Sequence, residues 1–365
     1  MTTPSACPND TKKSSLRPRK IISKRVSLAL DLARCSAAIY VIFHHIAQTH
    51  EITGLIRLIF SFGQEAVLVF FVLSGFVIFA NEHGRAIPPQ NYYMRRIRRI
   101  YPTLIIACLI GAVVALDNGN LAAIMDWRRL FGTLAGLQDV SALKPGVIVD
   151  PYAGNTPLWS LSYEMFFYLI FPLALMLWHR MPRSSNYIIG VISFASFAFY
   201  ILIPNHLSLV TAYFLVWWCG AMAANAYLSG ARNALALTTP LLWLSALTGL
   251  AVLNVTWQGF SSFGTYPFLM VRHFVVAIFL IIFFFGPLGV CAARISWPAA
   301  KPIIFLASIS YGLYAFHYPI LIRWDRADSA IGTVLAVIFL IAFAIAGDRW
   351  TQKYLPRFIG TASRS

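Results

Sequence analysis

Arg34 and His45 stand eleven residues apart inside the first long apolar run of the chain. On a helix that spacing closes three turns with roughly 20° left over, so both side chains share one face about 16 Å apart along the axis. An arginine near the centre of a bilayer costs on the order of 2.5–3.5 kcal/mol on the mildest insertion scale, which packing alone does not offset. The two groups offer complementary chemistry. A guanidinium grips phosphate or carboxylate oxygens in a fork, and an imidazole takes up a proton near neutral pH. Asp31, one turn before Arg34, is placed to fix the guanidinium.

Further polar residues lie in other apolar runs, and each has a plain structural reading beside a chemical one. Glu164 sits among Phe, Tyr and Leu, as a packing carboxylate or as the partner of a histidine. Trp159 and His317 fit an aromatic belt and an ordinary helix end, or contacts to a substrate, and Tyr311 shares the helix of His317. His44 points about 100° away from His45 and reads as structural. Glu65 and Arg272 lie near helix ends, where snorkelling accounts for them as well as function does. The run Arg95-Arg96-Ile97-Arg98-Arg99 precedes Tyr101-Pro102, and this proline is expected to start the third spanning helix. Arg96 and Arg99 would share a face of a short helix before it, holding lipid phosphate or cradling a phosphorylated cofactor.

The elements that must carry these groups follow from composition. With 59% hydrophobic residues, a mean hydropathy of +0.69 and only 12% charged residues among 365, the chain falls in the integral-membrane class. An all-α, polytopic protein of about ten spanning helices is expected, from windows near 28–47, 58–79, 100–116, 160–178, 187–204, 208–228, 235–255, 268–290, 302–322 and 329–347. Placing both termini in the cytoplasm puts 21 of the 29 Lys and Arg residues inside and six outside, as the positive-inside rule requires. The net charge of +16 then reads as topology and attraction to membrane lipid, not to nucleic acid. Residues 1–24 read as a disordered basic tail, 25–350 as one membrane domain with an uncleaved first helix, and 351–365 as a short basic tail. The five cysteines form no metal-binding or disulfide pattern. Residues 117–157 form the longest outer segment, with an interfacial helix expected near 125–137 that could line an entrance for a bulky acceptor. No inverted pair of broken helices is visible. Alternating direction places Trp159, Glu164, Tyr311, Tyr314 and His317 at one outer level with His45.

Five separated segments resemble the integral-membrane acyltransferase 3 family, which includes O-acetyltransferases of envelope polysaccharides and exopolysaccharides. They are Leu30-Asp31-Leu32-Ala33-Arg34 with His45, Phe70-Phe71-Val72-Leu73-Ser74-Gly75-Phe76, Arg96-Ile97-Arg98-Arg99, Leu158-Trp159-Ser160-Leu161-Ser162-Tyr163-Glu164, and Ser310-Tyr311-Gly312-Leu313-Tyr314 with His317. Leu32-Ala33 and Ala315-Phe316 depart from the family's usual Gly-Leu and Leu-Trp. The resemblance implies acyl-CoA, commonly acetyl-CoA, as donor, a saccharide hydroxyl as acceptor, a bacterial inner membrane, and cooperation with polysaccharide biosynthesis machinery. Under it, Arg34, Asp31, Arg96 and Arg99 would hold the donor, and His45 with Glu164 would do the catalysis. Trp159, Tyr311 and His317 would touch the acceptor. A lipid-linked sugar flippase or small-molecule exporter shares the helices and the basic face, and is the alternative from another class.

Overall fold

Apolar runs of about twenty residues must satisfy their backbone polar groups internally, which in lipid means helices. A computed structural model describes residues 22–84, 89–231, 234–286 and 300–354. The expected tails, most of residues 1–24 and 355–365, lie outside the described residues, as do Cys7, Cys291 and the last part of the eighth window. The main helices are α1 (Lys24–Thr49), a short α2 (Gly54–Ile59), α3 (Gly63–Glu82), α4 (Pro89–Asp117), and the short α5 (Leu121–Ile124) and α6 (Trp127–Leu134). They continue as α7 (Trp159–Arg180), α8 (Ser185–Leu202), α9 (His206–Ser229), α10 (Thr238–Gln258) and α11 (Phe268–Phe285), then α12 (Ala300–Ser308), α13 (Ser310–His317), α14 (Ala330–Ile345) and α15 (Thr351–Tyr354). Among the described residues nine spans are long and apolar enough to cross a membrane, and α12 with α13 and the π-turn Tyr318–Ile322 forms a tenth, bent by 52°. The chain is a polytopic, all-α integral membrane protein.

α9 is buried along most of its length, and α3 packs against it so closely that two glycines are needed. A Cβ on Gly75 would meet the Trp217 carbonyl, and one on Gly220 the Val72 carbonyl, the close approach of backbones that small residues permit in membranes. Around this seam Trp217, Trp218, Phe71, Phe76 and Phe167 are fully buried. α1 lies on the rim, against α3 and the bent span. The end of the bundle where α1 begins also carries Arg95–Arg99 and is termed the basic end; the other is the loop end.

One element differs from expectation. Pro102 does not start the third span but lies within α4, so Arg95, Arg96, Arg98 and Arg99 occupy the first turns of one 29-residue helix. A proline inside a helix costs about 3 kcal/mol, and tertiary bonds hold the segment before it: Arg95 Nη2 donates to Glu82 Oε2 (2.7 Å), and the Tyr93 hydroxyl to the Leu169 carbonyl (3.0 Å). At the loop end the expected interfacial helix is present as α6, capped by Asp126, whose Oδ1 accepts from the Arg128 and Arg129 amides (2.8 and 3.2 Å). The remainder of the 117–157 segment folds back onto the helices. Gln138 Nε2 donates to the Leu158 carbonyl (2.8 Å) and Asn155 Nδ2 to the Ala315 carbonyl of the bent span (2.9 Å).

Candidate active site

At the basic end a cavity of about 790 Å³ is lined by five guanidinium groups, those of Arg34, Arg95, Arg96, Arg98 and Arg99, against two carboxylates, Asp31 and Glu164. The excess of positive charge in a partly enclosed site suits a polyanion. Arg34, Arg96 and Arg99 are each braced. Arg34 Nη1 lies 3.3 Å from Asp31 Oδ1, one turn back on α1. The Arg96 guanidinium lies over the rings of Tyr92 and Tyr168 (5.4 and 5.5 Å), and that of Arg99 over Tyr311 (5.6 Å). Arg99 Nη1 is also 4.0 Å from Asp348 Oδ1. Asp348 is buried and accepts from the Gly312 amide (2.7 Å) and the Thr103 hydroxyl (3.2 Å), so one carboxylate ties α4, the bent span and the end of the last span around an arginine. The four residues expected to hold a donor, Asp31, Arg34, Arg96 and Arg99, thus gather on one cavity.

The far wall of the cavity includes Ser160 and Tyr314. The Tyr314 hydroxyl donates to the Pro157 carbonyl (2.5 Å), 2.9 Å from Ser160 Oγ, and its ring lies 6.1 Å from that of His317. One helical turn beyond the cavity lies a pair of imidazoles. The rings of His45 and His317 are stacked with centroids 5.4 Å apart and planes inclined by 30°. His317 is 0% exposed; its Nδ1 lies 2.7 Å from the Tyr314 carbonyl and 3.2 Å from that of Leu313. Carbonyls only accept, so Nδ1 carries the proton, and Nε2 has no hydrogen-bond partner among the described residues. His45 is half-buried, with Tyr318 and His44 edge-on to it (5.1 and 4.9 Å). His44 turns away as expected, its Nδ1 at 2.5 Å from the Phe60 carbonyl.

Three expected site residues are placed elsewhere. Glu164 lines the basic cavity with Arg34 and accepts from the Tyr168 hydroxyl four residues on, so it is not the partner of His45. Tyr311 faces the same cavity, its hydroxyl donating to the Ile100 carbonyl (3.3 Å), and is not level with His317. Span direction alone grouped both with His317, yet Tyr311 lies six residues, about 9 Å, before His317 on one helix, and Glu164 lies five residues, about 7.5 Å, into α7. Trp159 is only 4% exposed, with Lys144 Nζ 4.1 Å from its ring centroid and the His273 ring stacked parallel at 6.4 Å, so it presents no open face to a sugar. Nor do Glu65 and Arg272 snorkel: Glu65 is 2% exposed and 2.8 Å from Arg272 Nη2, an ion pair inside the bundle.

Sequence reasoning missed the group that occupies Trp159. Lys144, from the loop segment, is 2% exposed; its Nζ lies 2.7 Å from Asp139 Oδ1, and Asp139 Oδ2 accepts from the Tyr163 hydroxyl (2.7 Å) with His206 Nδ1 at 3.8 Å. Burial pushes the Lys144 ammonium below its ordinary pKa, and Asp139 draws it back up. The only sequence signal was an Asp and a Lys five apart in a loop, which is ordinary on a surface.

The bundle thus carries a basic cavity suited to an anion and, beyond Tyr314 on its wall, a stacked histidine pair. Over residues 27–348 the chain matches the acyltransferase 3 family, an acyltransferase domain, and it belongs to that family. It is similar to the acyltransferase MdmB of Streptomyces mycarofaciens (34% identity over 158 residues, 41% of this chain and 38% of that protein). It is also similar to the exopolysaccharide production protein ExoZ of Rhizobium meliloti (28% over 284 residues, 75% of this chain and 81% of that protein). A third relative is the peptidoglycan O-acetyltransferase OatA of Listeria monocytogenes (27% over 335 residues, 82% and 50%). The chain therefore spans well under half the length of MdmB and half that of OatA. No solved structure matches it significantly.

Proposed function

We propose that this membrane acyltransferase moves an acyl group, acetyl in the first instance, from acyl-CoA to a hydroxyl of a lipid-linked or extracytoplasmic saccharide. The observation that carries the reading is the arginine-lined cavity whose wall residue Tyr314 lies against His317, itself stacked on His45. CoA bears several phosphates on one end of a narrow arm, and forked guanidinium donors suit phosphate better than any other side chain. In this reading the basic end faces the cytoplasm of a bacterial inner membrane, both termini with it, and the protein works beside polysaccharide biosynthesis machinery. That two relatives are named for exopolysaccharide production and peptidoglycan O-acetylation supports a saccharide acceptor.

Acyl-CoA supplies the activated thioester. Arg96 and Arg99 bind the nucleotide phosphates, Arg34 held by Asp31 contacts the arm deeper in, and Tyr314 turns aside to let the arm pass toward the histidines. His45 takes the proton of the acceptor hydroxyl as the new C–O bond forms and the C–S bond breaks, then returns that proton to the departing thiolate. Glu164 balances Arg34 and does not take part in proton transfer.

Thermal unfolding of the purified protein with CoA tests the reading. Ligand at about 100 times its Kd adds about 2.7 kcal/mol of stability, and a shift seen with CoA and acetyl-CoA and lost in Arg96→Ala is expected. A protein that ignores CoA but equilibrates a lipid-linked sugar across vesicles would instead be a flippase or exporter.

A further inference from the structure

A general base needs a second group to set its tautomer and to receive its other N–H once it is protonated. In the acyltransfer reading, on which the following rests, His45 lacks the carboxylate expected for this. Glu164 is engaged by Tyr168, and Glu65 by Arg272. The rings that approach His45 are those of His44, Tyr318 and His317. His44 spends its Nδ1 on the Phe60 carbonyl. His317 offers a fully buried nitrogen with a lone pair and no partner.

We propose that His317 is the positioning residue for His45, so that the base acts as one half of an imidazole–imidazole pair anchored on a backbone carbonyl. An in-line N–H···N bond of ordinary length sets two imidazole centroids about 5 Å apart. The observed centroids are already 5.4 Å apart, but the rings are stacked, so the bond forms when the His45 ring swings about its side-chain torsions until an in-plane N–H points at Nε2 of His317. The order of the chain is fixed by chemistry at its far end. Because the Tyr314 and Leu313 carbonyls hold the proton of His317 on Nδ1, its Nε2 can only accept. His45 therefore donates one N–H to His317 and keeps its other nitrogen as a lone pair for the acceptor hydroxyl. When that hydroxyl gives up its proton, the His45 imidazolium retains a neutral hydrogen-bond partner. The proton stays on His45 and leaves with the thiolate as the C–S bond breaks, so His317 never changes charge. Placing the partner on α13 also couples the base to the bent span, whose Gly312 amide binds the Asp348 carboxylate beside Arg99.

Two isosteric substitutions separate this role from a merely structural one. His317→Gln sets an amide oxygen near the position of Nε2 and retains an acceptor for His45. His317→Asn reproduces the donor at Nδ1, and so the tether to the Tyr314 carbonyl, but has nothing at Nε2. In membranes of the producing cells carrying the full chain, acetyl-CoA-dependent acylation of the endogenous acceptor is measured against acetyl-CoA concentration. His317→Asn is expected to lower kcat about 100-fold, and His317→Gln about tenfold or less, with KM for acetyl-CoA and the thermal shift by CoA unchanged in both. In His45→Ala the further change His317→Asn should cost nothing more, since groups that act as a unit are not additive. Asn equal to or better than Gln, unchanged kcat in both, or full additivity overturns the proposal. A chain with His317 intact that transfers nothing and ignores CoA overturns the acyltransfer reading instead.

Discussion

At the scale of single residues, the charges inside an apolar chain sort into those that meet a cavity and those that meet each other. Arg96 and Arg99 belong to the first kind. Removing either guanidinium by Arg→Ala is expected to weaken CoA binding by about 10- to 100-fold, the worth of a charge-assisted hydrogen bond of about 1.5–3 kcal/mol. Arg96→Ala should cost little stability in the ligand-free protein, whereas Arg99→Ala also leaves the buried Asp348 without its guanidinium and should lower it. Titration of the CoA-dependent thermal shift checks this. Lys144 and Asp139 belong to the second kind. Asp139→Leu leaves the buried ammonium without its carboxylate and should cost about 3–5 kcal/mol, whereas replacing both, Asp139→Leu with Lys144→Met, should recover much of it. The comparison is a pair of melting temperatures in one detergent. The sequence made Arg34 and Asp31 legible because i and i+3 meet on any helix. It could not show which carboxylate reaches His45, since that depends on where distant helices bend.

At the scale of elements, spacing and hydropathy marked the ten spans seen among the described residues, and the differences lie at a proline and in depth along a helix. Pro102 looks like a helix start in isolation, yet Arg95 and Tyr93 hold the turns before it against Glu82 and Leu169. Span direction alone put Tyr311 level with His317, although six residues of one helix separate them by about 9 Å. The α3–α9 seam is the most constrained contact. Gly75→Ala and Gly220→Ala each push a methyl into a backbone carbonyl of the facing helix and should destabilise by about 1–3 kcal/mol or more, as overpacking does. Neither substitution should alter the affinity of the folded fraction for CoA. Thermal unfolding and CoA titration on the same sample separate the two effects.

At the scale of the whole molecule, the bundle has two chemically different ends. In the proposed orientation, which follows the positive-inside rule, the basic end faces the cytoplasm. A single cysteine at Ser184, between α7 and α8, should then react with a membrane-impermeant maleimide only after the cells are opened. One at Asn120, between α4 and α5, should react in intact cells. The reverse pattern would put the arginine cavity on the side without CoA and end the proposed donor supply.

The buried Lys144 also bears on how the chain is made. Translation delivers Asp139 and Lys144 before α7 supplies Trp159 and Tyr163, and long before α9 brings His206 and α11 brings His273 over Trp159. An ammonium in hydrocarbon is costly, so during synthesis this segment is expected to stay hydrated at the membrane surface and to dock when the later helices arrive. Nascent chains halted before Phe268 should therefore be cut by added protease between Asp139 and Asp150, and finished chains should resist.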